Sequence, residues 1–236
     1  MPRKPSMAHR VGTALTWPAG VAVTSWAYLW RTLPMHRREL EGTLERDGPP
    51  PLPDGVDLAE VQRPEDGAGP LFHRRYRVAI RESRLGAADL VARIREDPNR
   101  VAPTSLARFH KVKGDEDAPL ALGDEYVVRM PGPWDGPVRV VEADAGGFRF
   151  ATLDGHLEAG QIAWRARDDG GRVVFEVESW ARPGDRLSSL LHHRLRMAKE
   201  VQLHMWTSVC QQVAELSGGR IDGGIDIETR VAPVPA

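Results

Sequence analysis

The chain has one cysteine, Cys210, so no internal disulfide can form and a reducing compartment is favoured. Charge of one sign is also missing. Lys and Arg total 32 against 33 Asp and Glu, a formal net charge of -1. No global field therefore recruits nucleic acid or an anionic membrane. There is no phosphate-binding glycine motif, no cysteine cluster, no nucleophile elbow and no internal repeat. His192 and His193 occupy adjacent positions that do not face each other on a helix, and His193 and His204 are wrongly spaced for one metal. No metal site and no cofactor is expected. The remaining composition, 41% hydrophobic and 28% charged, is that of an ordinary soluble globular protein, and a cytoplasmic location is expected.

A long hydrophobic run is likewise lacking. Val11 to Trp30 carries no charge, but Gly12, Thr13, Thr16, Pro18, Gly20, Thr24 and Ser25 interrupt it. It fits neither a good spanning helix nor a secretory leader. Pro18 suits the first turn of a helix whose face is Ala22, Trp26, Leu29, Trp30 and Leu33. Residues 1–46 hold seven Lys/Arg against three Glu. Docking on the protein itself or a partner, lying in a membrane interface, and spanning one all stay open, with Ala22, Trp26, Trp30 and Leu33 as the contact face.

What the sequence does contain is one long amphipathic period. From Asp185 to Ser217 apolar residues recur at helical steps: Leu187, Leu190, Leu191, Ala198, Val201, Met205, Val209, Val213, Leu216. Asp185 suits the N-cap, and Gly218-Gly219 the stop. Cys210 lies one step from Val209 and reads as a buried, inert thiol.

Before this helix the chain divides at Asp47–Pro70, a Pro/Gly/Asp-rich stretch read as an extended linker with little regular structure. Leu71–Ile80 alternates as a strand, with Tyr76, Val78 and Ile80 on one face. Gly86–Asp97 reads as a short helix, and Leu106–Lys113 as a strand. Further strands fall near Asp124–Met130, Val138–Glu142, Phe148–Leu153, Leu157–Arg167 and Arg172–Trp180. Turn chemistry such as Gly146-Gly147 and Asp154-Gly155 separates them, so they form an antiparallel meander. The expected fold is α+β: a curved antiparallel sheet of about seven strands wrapped around a long C-terminal helix. The expected parts are an N-terminal helical extension (1–46), a linker (47–70), the helix-grip domain (71–219) and a C-terminal tail (220–236).

Alternation then names the inner face. Tyr126, Val138, Val140, Phe148, Phe150, Ile162, Trp164, Val173, Phe175 and Val177 make it apolar, with Thr152, Glu158 and Ser179 as polar intruders. Tyr126, Phe150, Thr152, His156, Glu158, Trp164 and Ser179 are the candidate ligand contacts. An inward carboxylate must be paired, protonated or at a wet mouth. His156, two residues before Glu158, could orient it for acid–base work or share a ligand with it; alternatively it merely shapes the Asp154-Gly155 turn. Glu176 and Glu178 read as a solvated face, and Trp134 as a loop anchor or a lid.

Thr152, Leu153, Gly155, His156, Glu158 and Gly160, followed by Ser179, Arg182 and Pro183, carry a family resemblance. Over about Leu71 to Gly219 the chain resembles the uncharacterised bacterial family known as domain of unknown function nineteen-ninety. Asp154 and Gln161 depart from its pattern, the second weakening any two-carboxylate mechanism. That family is similar to the START-like, helix-grip (SRPBCC) superfamily, which implies a cavity for a hydrophobic small molecule and supplies no reaction. Three functions follow as expectations: a binding domain for a lipid-like or polycyclic ligand, a cyclase or hydratase using His156 and Glu158, or an interaction module docking through its Trp-rich N-terminal helix.

Overall fold

In the computed structural model, residues 33–104, 107–130, 135–184 and 196–234 are described, with the backbone alone for 196–201. The strands are β1 (Met35–Glu41), β2 (Leu71–Arg81), β3 (Arg108–Lys113), β4 (Glu125–Arg129), β5 (Asp135–Ala143), β6 (Gly147–Thr152), β7 (Glu158–Asp169), β8 (Arg172–Pro183) and β9 (Arg220–Ala232). The helices are α1 (Leu44–Asp47), α2 (Ala87–Glu96) and α3 (Arg196–Leu216). Together the strands form one large curved sheet in the order β1-β9-β2-β8-β7-β6-β5-β4-β3.

The expected meander from β3 to β8 is present, each strand antiparallel to the next. α3 lies on the concave face with Val209, Cys210, Val213 and Ala214 buried, and α2 adds Leu90, Val91 and Ile94. The expectation differs from the structure at both chain ends. Nine strands rather than about seven are present among the described residues. The segment 220–236, expected as a tail, supplies β9, so α3 is not the last element. Ile225 and Ile227 point into the core and hold this strand beside β2. The described part of 1–46 holds β1 and most of α1; β1 runs parallel to β9, which makes the sheet mixed, and the helix expected before Pro34 falls almost wholly outside the described residues. Ala22, Trp26 and Trp30, with Trp134 and the helix start at 185–195, lie outside the described residues. No helix among the described residues is long and apolar enough to cross a membrane.

The stretch 47–70 is irregular, as its proline content dictates, but it is packed. Leu52, Val56 and Val61 cover Val141, Ala151 and Leu153 on the convex face. Its carbonyls do what its prolines cannot: Arg139 donates to the C=O of Asp57 and Ala59, and Gln161 donates to that of Pro50.

Candidate functional site

The register places concave residues in rows that cross the strands. One row runs Thr229, Arg74, Ser179, Ile162, Phe150, Val140, passing from β9 through β2, β8, β7 and β6 to β5. The next runs Ile227, Tyr76, Val177, Trp164, Phe148. The concave face thus changes along each row, polar or mixed toward β9 and aromatic toward β5.

The aromatic half is filled. Phe109, Tyr126, Phe148, Phe150, Trp164, Phe175 and Trp206 interlock with ring centroids 5.4–6.3 Å apart. Tyr126, Phe150 and Trp164, three of the candidate ligand contacts, are buried inside this cluster. Half-buried positions on the concave face lie elsewhere: Phe72, Ile162, Ser179 and Thr229 on the sheet, Gln202 and Trp206 on α3.

Glu158, at the start of β7, faces this half-open end as its register requires. Its carboxylate accepts a hydrogen bond from the Gln202 side-chain amide (2.8 Å) and lies 3.7 Å from Arg74. The Arg74 side chain is 6% exposed. Its guanidinium stacks over the Phe72 ring at 4.6 Å. Among the described residues it makes no hydrogen bond, and neither does the hydroxyl of Tyr76, two residues along the same face. Burial prevails over the nearby Arg74 charge and pushes the Tyr76 phenol up to about 12, which keeps it a donor.

His156 does not pair with the Glu158 carboxylate. Its Nδ1 sits 2.9 Å from both the N–H and the C=O of Glu158, which closes the turn after Asp154-Gly155. A side chain at Gly136 would come within 3.0 Å of Nε2, so the ring is also hemmed in from β5. Burial lowers its pKa, giving a neutral imidazole that is tied to backbone. Thr152 is likewise occupied: its hydroxyl accepts from Gly160 N–H (2.9 Å) and donates to the Gln62 carbonyl (3.0 Å). Of the seven candidates, Glu158 and Ser179 come together with Arg74. Tyr126, Phe150 and Trp164 lie in the ring cluster, and Thr152 and His156 bond to backbone.

A second polar cluster lies on the convex side, where the sequence suggests only a solvated face. His73 Nδ1 is 3.1 Å from Asp47, and Nε2 is 2.7 Å from Glu178. The imidazole stacks on Trp180. Arg75 also donates to Glu178 (3.0 Å), and Arg230 approaches Asp47 (3.7 Å). Burial opposes charge on His73, but its bonds to Glu178 and Asp47 prevail and hold its pKa above the ordinary 6.5. Glu178 is held below its ordinary range because bonds from His73 and Arg75 outweigh its burial. No group of metal-ligating side chains occurs among the described residues.

No match was found among curated proteins. Solved structures of similar shape include hypothetical protein jhp0584 from Helicobacter pylori, with a TM-score of 0.46 and 11% identity over 61% of this chain and 86% of that one. Norcoclaurine synthase from Thalictrum flavum, in complex with dopamine and hydroxybenzaldehyde, gives 0.42 and 9% over 65% and 89%. A major latex-like protein from Panax ginseng gives 0.42 and 12% over 61% and 97%. A family model matches residues 57–212, and the chain belongs to that family, Domain of unknown function (DUF1990).

Proposed function

We infer that the protein binds a hydrophobic small molecule with one polar end, seated on the concave face between β2, β8 and α3. The observation that carries this is Arg74, a buried cation without a hydrogen bond among the described residues, stacked over half-buried Phe72 and in one concave row with Ser179 and half-buried Ile162. Buried polar groups in folded proteins are almost always hydrogen-bonded, and an unused donor costs free energy. Apolar walls with a few placed polar groups are the usual make-up of a small-molecule site. Ser179 and Glu158 join Arg74 as the polar contacts of this reading.

Nile red, a neutral apolar dye, tests it. Saturable binding at one dye per chain is expected, and Ile162→Trp should abolish it by filling the half-open end while the variant still melts cooperatively. Dye binding that never saturates, or that ignores Ile162→Trp, would remove the concave site.

A further inference from the structure

The line of polar side chains through Arg74 narrows the ligand class, resting on the concave-site reading above. Thr229 on β9, Arg74 on β2 and Ser179 on β8 are consecutive in one row across three neighbouring strands, with Ile162 of β7 next. The rows to either side are apolar on these strands, apart from the Tyr76 hydroxyl. They hold Val231, Phe72 and Ala181 on one side, and Ile227, Tyr76 and Val177 on the other. The polar groups therefore form a narrow line that crosses the strands. None of the three makes a side-chain hydrogen bond among the described residues. Comparable hydroxyls do. Those of Thr152, Thr207, Ser208 and Ser217 are buried and bonded, and half-buried Ser83 donates to the Leu85 carbonyl. Ser179 and Thr229 are half-buried as well, one on each side of a buried guanidinium.

Adjacent strands lie about 4.8 Å apart, so the line from Thr229 to Ser179 spans roughly 10 Å. One oxygen atom cannot reach both ends. Arg74 only donates, whereas each hydroxyl both donates and accepts. An occupant that meets all three places an acceptor oxygen on the guanidinium and carries further oxygens, hydroxyls included, out to either side. Charge does not make this selection. Arg37 and Glu39 on β1, paired with Ile227 and Thr229, and Glu158 on β7 border the line with both signs, and each has interactions of its own. We propose that the line takes the head of an amphiphile bearing several oxygens, a glycerol, polyol or sugar joined to an apolar body. The head lies across β9, β2 and β8, and the body lies over Ile162. Arg74 anchors the head, and Thr229 and Ser179 set its specificity.

Two probes test the line: 1-decanoylglycerol and methyl decanoate, which share the acyl chain and the ester and differ by two hydroxyls. Their affinities for the full chain are read by displacement of Nile red, below the aggregation concentration of each ester. The glycerol ester should bind about tenfold or more tighter, the size of two neutral hydrogen bonds. Thr229→Val and Ser179→Ala each remove one hydroxyl at nearly constant shape, and each should cut that ratio about threefold. Together they should bring the two esters to within about twofold of each other. Equal affinities for the wild-type chain, or a ratio that the double variant leaves unchanged, would overturn the inference. The wild-type comparison needs no variant and stands even if the double variant fails to fold. Saturable Nile red binding without a glycerol preference overturns this inference and keeps the concave site; absence of Nile red binding removes both.

Discussion

His73 and Arg74 are consecutive residues of β2, both more than nine-tenths buried, and they face opposite sides of one sheet. On the convex side His73 has each ring nitrogen on a carboxylate and a Trp180 ring against its face. On the concave side Arg74 has one ion pair at 3.7 Å and an aromatic face, and its donors are unused among the described residues. The two clusters have similar composition and opposite degrees of satisfaction. A closed network holds elements together: Asp47 belongs to α1 and Glu178 to β8, so His73 clasps the N-terminal segment to the sheet. An open one gains its partners from outside.

If that contrast is right, the largest effect is on the convex face. His73→Ala strips two buried carboxylates of a shared partner, and the stability loss expected from breaking such a network is ~3–5 kcal/mol. Arg74→Met has no hydrogen bond to break among the described residues, and keeps the apolar stem over Phe72; it should stay within ~1 kcal/mol of wild type. Urea denaturation of both variants decides it. An Arg74→Met loss equal to that of His73→Ala would mean the concave cluster is structural too.

Acidity tests the clasp next. The groups around His73 are Asp47 from α1, Glu178 from β8, Arg75 on β2 itself, and Arg230 with Glu228 from β9. Because the folded pKa of His73 lies above its ordinary 6.5, the folded chain holds the extra proton between those two values. The stabilisation is complete below 6.5 and declines as pH rises through the folded pKa. The slope cannot exceed ~1.4 kcal/mol per pH unit for one proton. At the acid end the sign reverses, since Asp47 and Glu178 titrate below their ordinary range in the fold and their contribution disappears only as pH falls through those lowered values. His73→Gln should flatten the alkaline decline and leave the acid limb in place. An alkaline limb that survives in His73→Gln would place the titration elsewhere.

How much of this was legible in the sequence differs between the two faces for physical reasons. Strand alternation is local, so the meander, the inward register of Glu158 and the apolar stripe of α3 could all be read from neighbouring residues. Arg74 was within reach of the same logic, two positions before Tyr76 on its face, but an Arg-Arg pair reads as solvated. β9 carries its signal in Ile225 and Ile227, interrupted by Gly223-Gly224, both at positive φ where the register against β2 shifts. β1 shows no inward apolar face, because it is an exposed edge strand. The His73 clasp joins residues 26 and 105 positions apart, and no periodicity connects them. Alternation puts Tyr126, Phe150 and Trp164 on the inward face but does not say which rings they meet there, because those partners come from other strands.

The smallest effect should come from neutralising the concave carboxylate. Glu158→Gln preserves shape, so its amide oxygen can still accept from the Gln202 amide that Glu158 engages at 2.8 Å. What is lost includes the attraction to Arg74 across 3.7 Å, and what is relieved is the desolvation of a carboxylate that is 17% exposed. These oppose each other, so the net change should be under ~1 kcal/mol in either direction. Glu178→Gln makes the same chemical change on the convex face. There the carboxylate accepts from both His73 (2.7 Å) and Arg75 (3.0 Å), and the loss should be several-fold larger. Paired thermal melts of the two glutamine variants give the comparison directly. Equal shifts would mean that both glutamates belong to structural networks, and the open character assigned to the Arg74 cluster would have to be given up.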